Sequence, residues 1–272
     1  MNNEIKILFL GDIVGKPGRT VVKNYLAGLL SPENEKQFDF IIANVENASH
    51  GFGLTEKNYK ELVNIGIDCF TAGNHIWDKK EIFTYIEKSD RLIRPANYPE
   101  GTPGTGYRIF DAGDTKVAVI NLLGRTFMNP IDSPWDFIKK QLPEIKNIAP
   151  VVIIDFHAEA SAEKLCFARY CSECGVSAVL GTHTHVPTAD EKILNDYTAY
   201  ITDVGFCGTY DSIIGMEYET SLRRLMTNLP ARFDVAEGSV LELNAVSVIF
   251  DKTSGCAKNI ERIRLIDSEA DT

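Results

Sequence analysis

No basic run, no long apolar run and no cysteine framework occur in this chain. Its 272 residues carry 28 Lys and Arg against 38 Asp and Glu, a net charge of −10. Nucleic acids and anionic membranes both attract clustered positive charge, so direct binding to either is not expected. The N-terminus reads Met-Asn-Asn-Glu-Ile-Lys before four uninterrupted apolar residues, Ile7–Leu10. That is too short for a membrane span and unlike a secretory signal, so a cytoplasmic protein is expected. Six cysteines (Cys69, Cys166, Cys171, Cys174, Cys207 and Cys256) are too few to staple a chain of this length and read as reduced thiols. Cys171-Ser-Glu-Cys174 is a CxxC with no second pair and no thioredoxin-like surroundings, and it reads as structural. No linker-like stretch and no internal repeat interrupts the chain. Hydrophobic residues at 44% and charged residues at 24% are globular values, and one domain over residues 1–272 is expected.

What is present is an alternation of short apolar runs with amphipathic stretches, the pattern of an α/β layer fold. The runs end in polar residues: Ile5–Gly11 in Asp12, Phe38–Val45 in Glu46 and Asn47, Ile67–Gly73 in Asn74 and His75. Val151–Phe156 ends in His157, and Ser177–Thr182 in His183 and His185. Val117–Leu123 reads as a further strand. Helices are predicted over Arg19–Leu30 behind Pro17-Gly18, Glu56–Ile65 behind an N-cap at Thr55, and Lys79–Glu87 behind Asp78 with Glu81 closing a capping box. Ala162–Glu173 behind Ser161 and Met216–Met226 complete the set. Val240–Phe250 and Lys258–Ile266 flank a turn and predict an antiparallel hairpin, followed by a frayed acidic end over Asp267–Thr272. Phe206–Glu237 lacks a clear strand and reads as an excursion over the site or toward a partner, a candidate surface for homo-oligomer formation.

Ligands in open α/β sheets gather at the carboxyl ends of strands, where several loops converge. Four of the five histidines stand there, beside carboxylates and an amide. This inventory suits two cations close together with no sulfur ligand. A bridging carboxylate is needed to hold such a pair about 3.5–4 Å apart, and Asp12 and Glu46 are the carboxylates placed directly at these ends.

The arrangement Gly11-Asp12, Gly73-Asn74-His75, His157 and Gly181-Thr-His183-Thr-His185 resembles the motifs of calcineurin-like metallophosphoesterases, in order. More narrowly, the chain resembles the bacterial YmdB-type branch, through Gly11-Asp-Ile-Val-Gly-Lys-Pro-Gly18, Glu46-Asn47-Ala-Ser-His50-Gly51, Gly73-Asn-His-Ile-Trp-Asp78 and Arg94-Pro-Ala-Asn-Tyr-Pro99. Asp155-Phe-His-Ala-Glu159, Gly181-Thr-His-Thr-His-Val186 and Ile201-Thr-Asp-Val-Gly205 extend the likeness nearly end to end. Two departures from the wider superfamily are features of this branch: Val14 stands where a histidine is usual, and Glu46-Asn47 where an aspartate is usual.

The resemblance implies a four-layer α/β/β/α sandwich and two metal ions. It places one ion on Asp12, Glu46, Asn47 and His185 and the other on Glu46, Asn74, His157 and His183, with Glu46 bridging. The exchange of a histidine for an amide oxygen makes the site harder, which favours iron or manganese over zinc. His75 is implied as a proton donor to the leaving group, after attack by a metal-bridging hydroxide. The implied activity is hydrolysis of 2′,3′-cyclic nucleotides, with 3′,5′-cyclic nucleotides as a wider class. A phosphomonoesterase or protein phosphatase on the same metals, and a regulatory metal-binding protein acting through protein contacts, are the alternatives. His50 and Arg125 are candidate substrate contacts, as is Arg94. For His50 a plain turn residue before Gly51 is an equal reading. Asp155 and Glu159 flank His157 as candidate acceptors that orient it, Asp203 ends a strand without an assigned role, and Trp77 and Trp135 read as core.

Overall fold

A computed structural model describes residues 3–30, 37–230 and 232–268. Thirteen strands and six helices follow one another among these residues. They are β1 (Glu4–Leu10), β2 (Asp12–Ile13), α1 (Gly15–Leu29), β3 (Phe40–Asn44), α2 (Glu56–Asn64), β4 (Cys69–Thr71), α3 (Ile82–Tyr85), β5 (Tyr107–Ala112) and β6 (Thr115–Leu123). Then come α4 (Pro134–Ile148), β7 (Val151–His157), α5 (Ser161–Glu173), β8 (Ala178–Thr182), β9 (Lys192–Leu194), β10 (Thr198–Ile201), β11 (Phe206–Thr209), α6 (Tyr218–Thr227), β12 (Val240–Asp251) and β13 (Ala257–Ser268).

Two sheets result, one ordered β2-β11-β12-β1-β3-β4 with β13 also on β12, the other ordered β5-β6-β7-β8-β10-β9. Strands β1, β3 and β4 run parallel in the first, and β6, β7, β8 and β10 in the second. Alternate residues of each strand serve different cores. Ile7, Phe9 and Ile42 meet Val119, Ile153 and Leu180 between the sheets. Leu8, Leu10 and Ile41 pack outward on Val22 and Leu26 of α1 and Leu62 of α2. Val152, Ile154 and Phe156 pack outward on Ile138 and Leu142 of α4 and Phe167 of α5. Burial on both faces is why these runs are almost unbroken apolar sequence. Each such side chain contributes about 1.5–3 kcal/mol. The layers are therefore helix, sheet, sheet, helix, as the family resemblance implies.

Several local expectations are corrected. Helix α1 starts at Gly15, before Pro17, because an N–H in the first turn has no intrahelical partner and its loss there costs little. The helix predicted over Lys79–Glu87 shrinks to α3 plus a short 3₁₀ turn. Its supposed capping residues are engaged elsewhere: Asp78 Oδ2 sits 2.9 Å from His75 Nδ1, and Glu81 Oε1 accepts from the Glu56 N–H at 2.7 Å. Ser161 is the first residue of α5 and makes no side-chain cap. The segment Phe206–Glu237 does contain a strand, β11, which pairs with β2 and β12. Helix α4 and strand β5 were not anticipated. The terminal hairpin forms as β12 and β13 and includes Asp267, while residues 269–272 of the expected frayed end lie outside the described residues. No described helix is long and apolar enough to cross a membrane.

Candidate metal centre

Asp12 opens β2, Glu46 and Asn47 follow β3, Asn74 and His75 follow β4, His157 ends β7, and His183 and His185 follow β8. Strand ends from both sheets thus converge. Glu46 Oε1 lies 3.1 Å from His157 Nε2, which lies 3.1 Å from His183 Nδ1. Asn47 Nδ2 is 3.1 Å from Glu46 Oε1 and 3.0 Å from His185 Nε2. Two sets of ligand atoms are each within 4.8 Å of one another: Glu46, His157 and His183, and Asp12, Glu46 and His185. Glu46 belongs to both.

The surroundings fit cations. Five buried side-chain polar atoms lack a hydrogen-bond partner among the described residues, and three of them are here: Asp12 Oδ1, Asn47 Oδ1 and Asn74 Oδ1. Buried oxygens without donors are costly unless something positive meets them. The two expected four-residue groups, Asp12, Glu46, Asn47 and His185, and Glu46, Asn74, His157 and His183, each contain one of the two clusters and at least one of these oxygens. Val14, by contrast, packs with Phe206 and Met216 in a small apolar cluster.

The site's electrostatics are those of acids and imidazoles crowded out of water. Burial raises the Asp12 pKa, and Glu46 adds to the rise while His157 opposes it. Burial alone would lower His157, but Glu46, Asp12 and Asp155 outweigh it and hold its pKa up at about 9. Burial and then the His157 charge push His183 down to about 3, and burial also lowers His185. Both shifts favour the neutral ring, the form that donates a lone pair to a cation.

Local backbone geometry aims the candidate ligands. His183 and His185 have φ of +103° and +64°, a region that costs a non-glycine residue about 1–3 kcal/mol. The loop is held there by several bonds. The His183 N–H donates to Asp12 Oδ2 at 3.2 Å, the Thr184 N–H to Asp203 Oδ2 at 3.0 Å, and His185 Nδ1 to the Ile214 carbonyl at 2.8 Å. That last bond leaves His185 Nε2 as the lone-pair nitrogen facing the centre. At Gly73 an added Cβ would collide with Glu46 Oε2 and His157 Nε2, so only glycine lets this loop close on the site.

A second ring of polar groups was only partly anticipated. Asp155 reaches His157 through a hydroxyl: Thr182 Oγ1 donates to Asp155 Oδ1 at 2.6 Å and lies 2.9 Å from His157 Nδ1. Glu159 pairs with His183 instead, Oε2 to Nε2 at 3.1 Å. Asn44 donates to Asp155 Oδ2 at 2.9 Å and accepts from the Glu46 N–H at 3.1 Å, which ties a loop of one sheet to a strand of the other. Buried Lys164 donates to Asp203 Oδ2 at 2.7 Å and to the Thr182 carbonyl at 2.8 Å. Neither Asn44 nor Lys164 was singled out from the sequence; a polar residue inside an apolar run was the available signal for Asn44.

His75 lines the cavity that opens on the metal centre, together with Glu46, Asn47, His183 and His185. Its backbone N–H donates to Glu46 Oε2 at 3.0 Å. The other side of this cavity is built by residues of the 206–237 segment, the first of the two expectations for that excursion. His50 and Arg125 stand apart from it. His50 is exposed and borders a different hollow with Arg19 and Glu56, and Arg125 borders another with Trp135 and Glu163. The Arg94 guanidinium is consumed by the carbonyls of Pro95, Thr102 and Pro103. Trp77 and Trp135 are half-buried and pack beside the cores.

The chain is 50% identical over 263 residues to the 2′,3′-cyclic-nucleotide 2′-phosphodiesterase of Bacillus subtilis (strain 168), an alignment covering 97% of this chain and 98% of that protein. Among solved structures it is similar to a hypothetical protein of Thermus thermophilus, with a TM-score of 0.89, 39% identity, and 97% and 100% of the two chains covered. A novel phosphatase of Mycoplasma pneumoniae superposes equally well, with a TM-score of 0.89 and 36% identity over 99% of this chain and 96% of that one. A model of the YmdB-like proteins matches residues 8–263, and with relatives this similar over nearly their full lengths, the chain belongs to the YmdB-like family.

Proposed function

We propose that this protein is a two-metal phosphodiesterase acting on 2′,3′-cyclic nucleotides, with 3′,5′-cyclic nucleotides as a wider substrate class. The observation that carries the reading is the sharing of Glu46 by two clusters of ligand atoms, beside buried oxygens of Asp12, Asn47 and Asn74 that accept no hydrogen bond. One ion is assigned to Asp12, Glu46, Asn47 and His185, the other to Glu46, Asn74, His157 and His183. Bound there, two cations would neutralise phosphoryl oxygens and lower the pKa of a water, as in-line displacement at phosphorus requires. An amide oxygen in place of a histidine hardens the site, which favours iron or manganese over zinc.

His75 is the general acid. Its Nδ1 is engaged by Asp78 Oδ2 at 2.9 Å, which leaves Nε2 for the leaving oxygen. From the doubly protonated ring, Nε2 gives its proton to the departing alkoxide while Nδ1–H stays on Asp78. The Bacillus relative is named for the 2′ bond. Carried to this chain, a water releases one proton to solvent and its oxygen joins phosphorus, the P–O2′ bond breaks, O2′ takes the His75 proton, and a nucleoside 3′-monophosphate leaves. His50 and Arg125 have no part in this reading.

Initial rates of the manganese-loaded protein on 2′,3′-cyclic AMP and on 3′-AMP, with product identification, test it. Turnover of the cyclic diester to 3′-AMP alone is expected. Turnover of the monoester alone makes the protein a phosphatase, and turnover of neither favours a regulatory metal-binding protein.

A further inference from the structure

Opposite the metal centre, the cavity of about 450 Å³ has an apolar wall formed by Phe52, Ile214, Met216, Leu225 and Phe233. Its volume is in the range of small-molecule sites. The Phe52 and Phe233 rings are half-buried, with centroids 6.4 Å apart and planes inclined by 46°. Phe52 also meets the His75 ring edge-on, 4.7 Å between centroids. The Arg224 guanidinium lies over Phe233 at 4.5 Å and borders the same cavity. Holding metals does not require such a wall.

We infer that this wall is the nucleobase subsite and that stacking there selects which ester bond is cleaved. The inference rests on the phosphodiesterase reading above. In a 2′,3′-cyclic nucleotide the base is carried by C1′, the neighbour of C2′. With O2′ held at His75 Nε2, the base stands one carbon away, beside Phe52, which flanks His75, and Phe233, whose ring lies 6.4 Å from that of Phe52. With O3′ in that position the base is one carbon further off and loses the contact. Productive stacking therefore brings the P–O2′ bond into line with the proton donor. The five wall side chains offer no hydrogen-bond donor or strong acceptor to a base edge; Arg224 and Ser221 border the cavity as donors, but stacking on an aromatic face tolerates any base. All four bases are accepted, with purines ahead because their ring area is larger.

The test compares kcat/KM on 2′,3′-cyclic AMP with kcat/KM on ethylene phosphate, a five-membered cyclic diester that has no base. Wild type, Phe233→Ala and Phe233→Tyr are assayed as manganese-loaded proteins of equal metal content. The product isomers are separated, and 3′-AMP binding is measured by calorimetry as a readout independent of turnover. In Phe233→Ala the ratio of the two kcat/KM values should fall about tenfold, chiefly through KM on the nucleotide, with a matching loss of 3′-AMP affinity. The share of 2′-AMP among the products should rise, and Phe233→Tyr should keep the wild-type ratio. An unchanged ratio overturns the inference while leaving the phosphodiesterase reading intact. So does an equal loss on both substrates, or a wild-type preference for one base that excludes the other three. If the wild type hydrolyses neither diester, the parent reading fails and this one falls with it.

Discussion

His75 Nδ1 and Asp78 Oδ2 lie 2.9 Å apart across a single turn. The contact diverts Asp78 from the helix-capping role its sequence position suggests, and it orients the imidazole so that Nε2 is the nitrogen available to substrate. Asp78→Ala should lower kcat on 2′,3′-cyclic nucleotides about 10- to 100-fold, the usual cost of losing an orienting partner. On an activated ester such as bis(p-nitrophenyl) phosphate the loss should be smaller, and the metal content by mass spectrometry should be unchanged. His75→Ala should show the same pattern more strongly, about 100-fold or more on the poor leaving group. Equal losses on both esters would remove the proton-donor role.

Gly73 is the point where the loop after β4 comes closest to the ligands. In Gly73→Ala the new methyl meets Glu46 Oε2 and His157 Nε2, two atoms held by the site itself. The strain of such an insertion is about 1–3 kcal/mol. Elemental analysis should find less metal bound than in wild type, and calorimetry a lower Tm. Full metal occupancy at the wild-type Tm would show that the loop yields without cost.

Lys164 and Asp203 form a buried pair behind the loop that carries His183 and His185. Lys164→Met leaves the Asp203 carboxylate buried without its cation, a loss of about 3–5 kcal/mol. For a chain of this size the Tm should drop by roughly 10 °C. Because Asp203 also fixes the Thr184 N–H, metal affinity measured by competition with a chelator should weaken in the same variant. A drop in Tm with unaltered metal affinity would make the pair structural only.

The positions of the proposed ligands were legible because each closes a largely apolar run, and the polar residues that follow a parallel strand buried on both faces collect at the sheet's carboxyl edge. Asp12, Glu46, His157 and His183 are read that way. Other features depend on partners distant in the chain. Nothing near Lys164 distinguishes it from a surface lysine on a helix; only the fold sets Asp203 against it. Sequence proximity pairs Glu159 with His157, but the chain carries its side chain toward His183. Helix α4 holds Pro143 in its interior, which reads as a break. Strand β11, Phe206–Thr209, has four residues and no alternation, so its pairing with β2 and β12 is a tertiary fact. Phe52 and Phe233 meet only because the 206–237 segment folds back over the centre.

One carboxylate, Glu46, serves both cations in the proposed centre. Metal content per chain should be measured by elemental analysis for wild type, Glu46→Gln and Asn74→Ala, each reconstituted with manganese and freed of excess. Two ions in wild type, fewer than one in Glu46→Gln and about one in Asn74→Ala are predicted. A wild type that binds a single ion, or a Glu46→Gln variant that retains two, would contradict the shared centre.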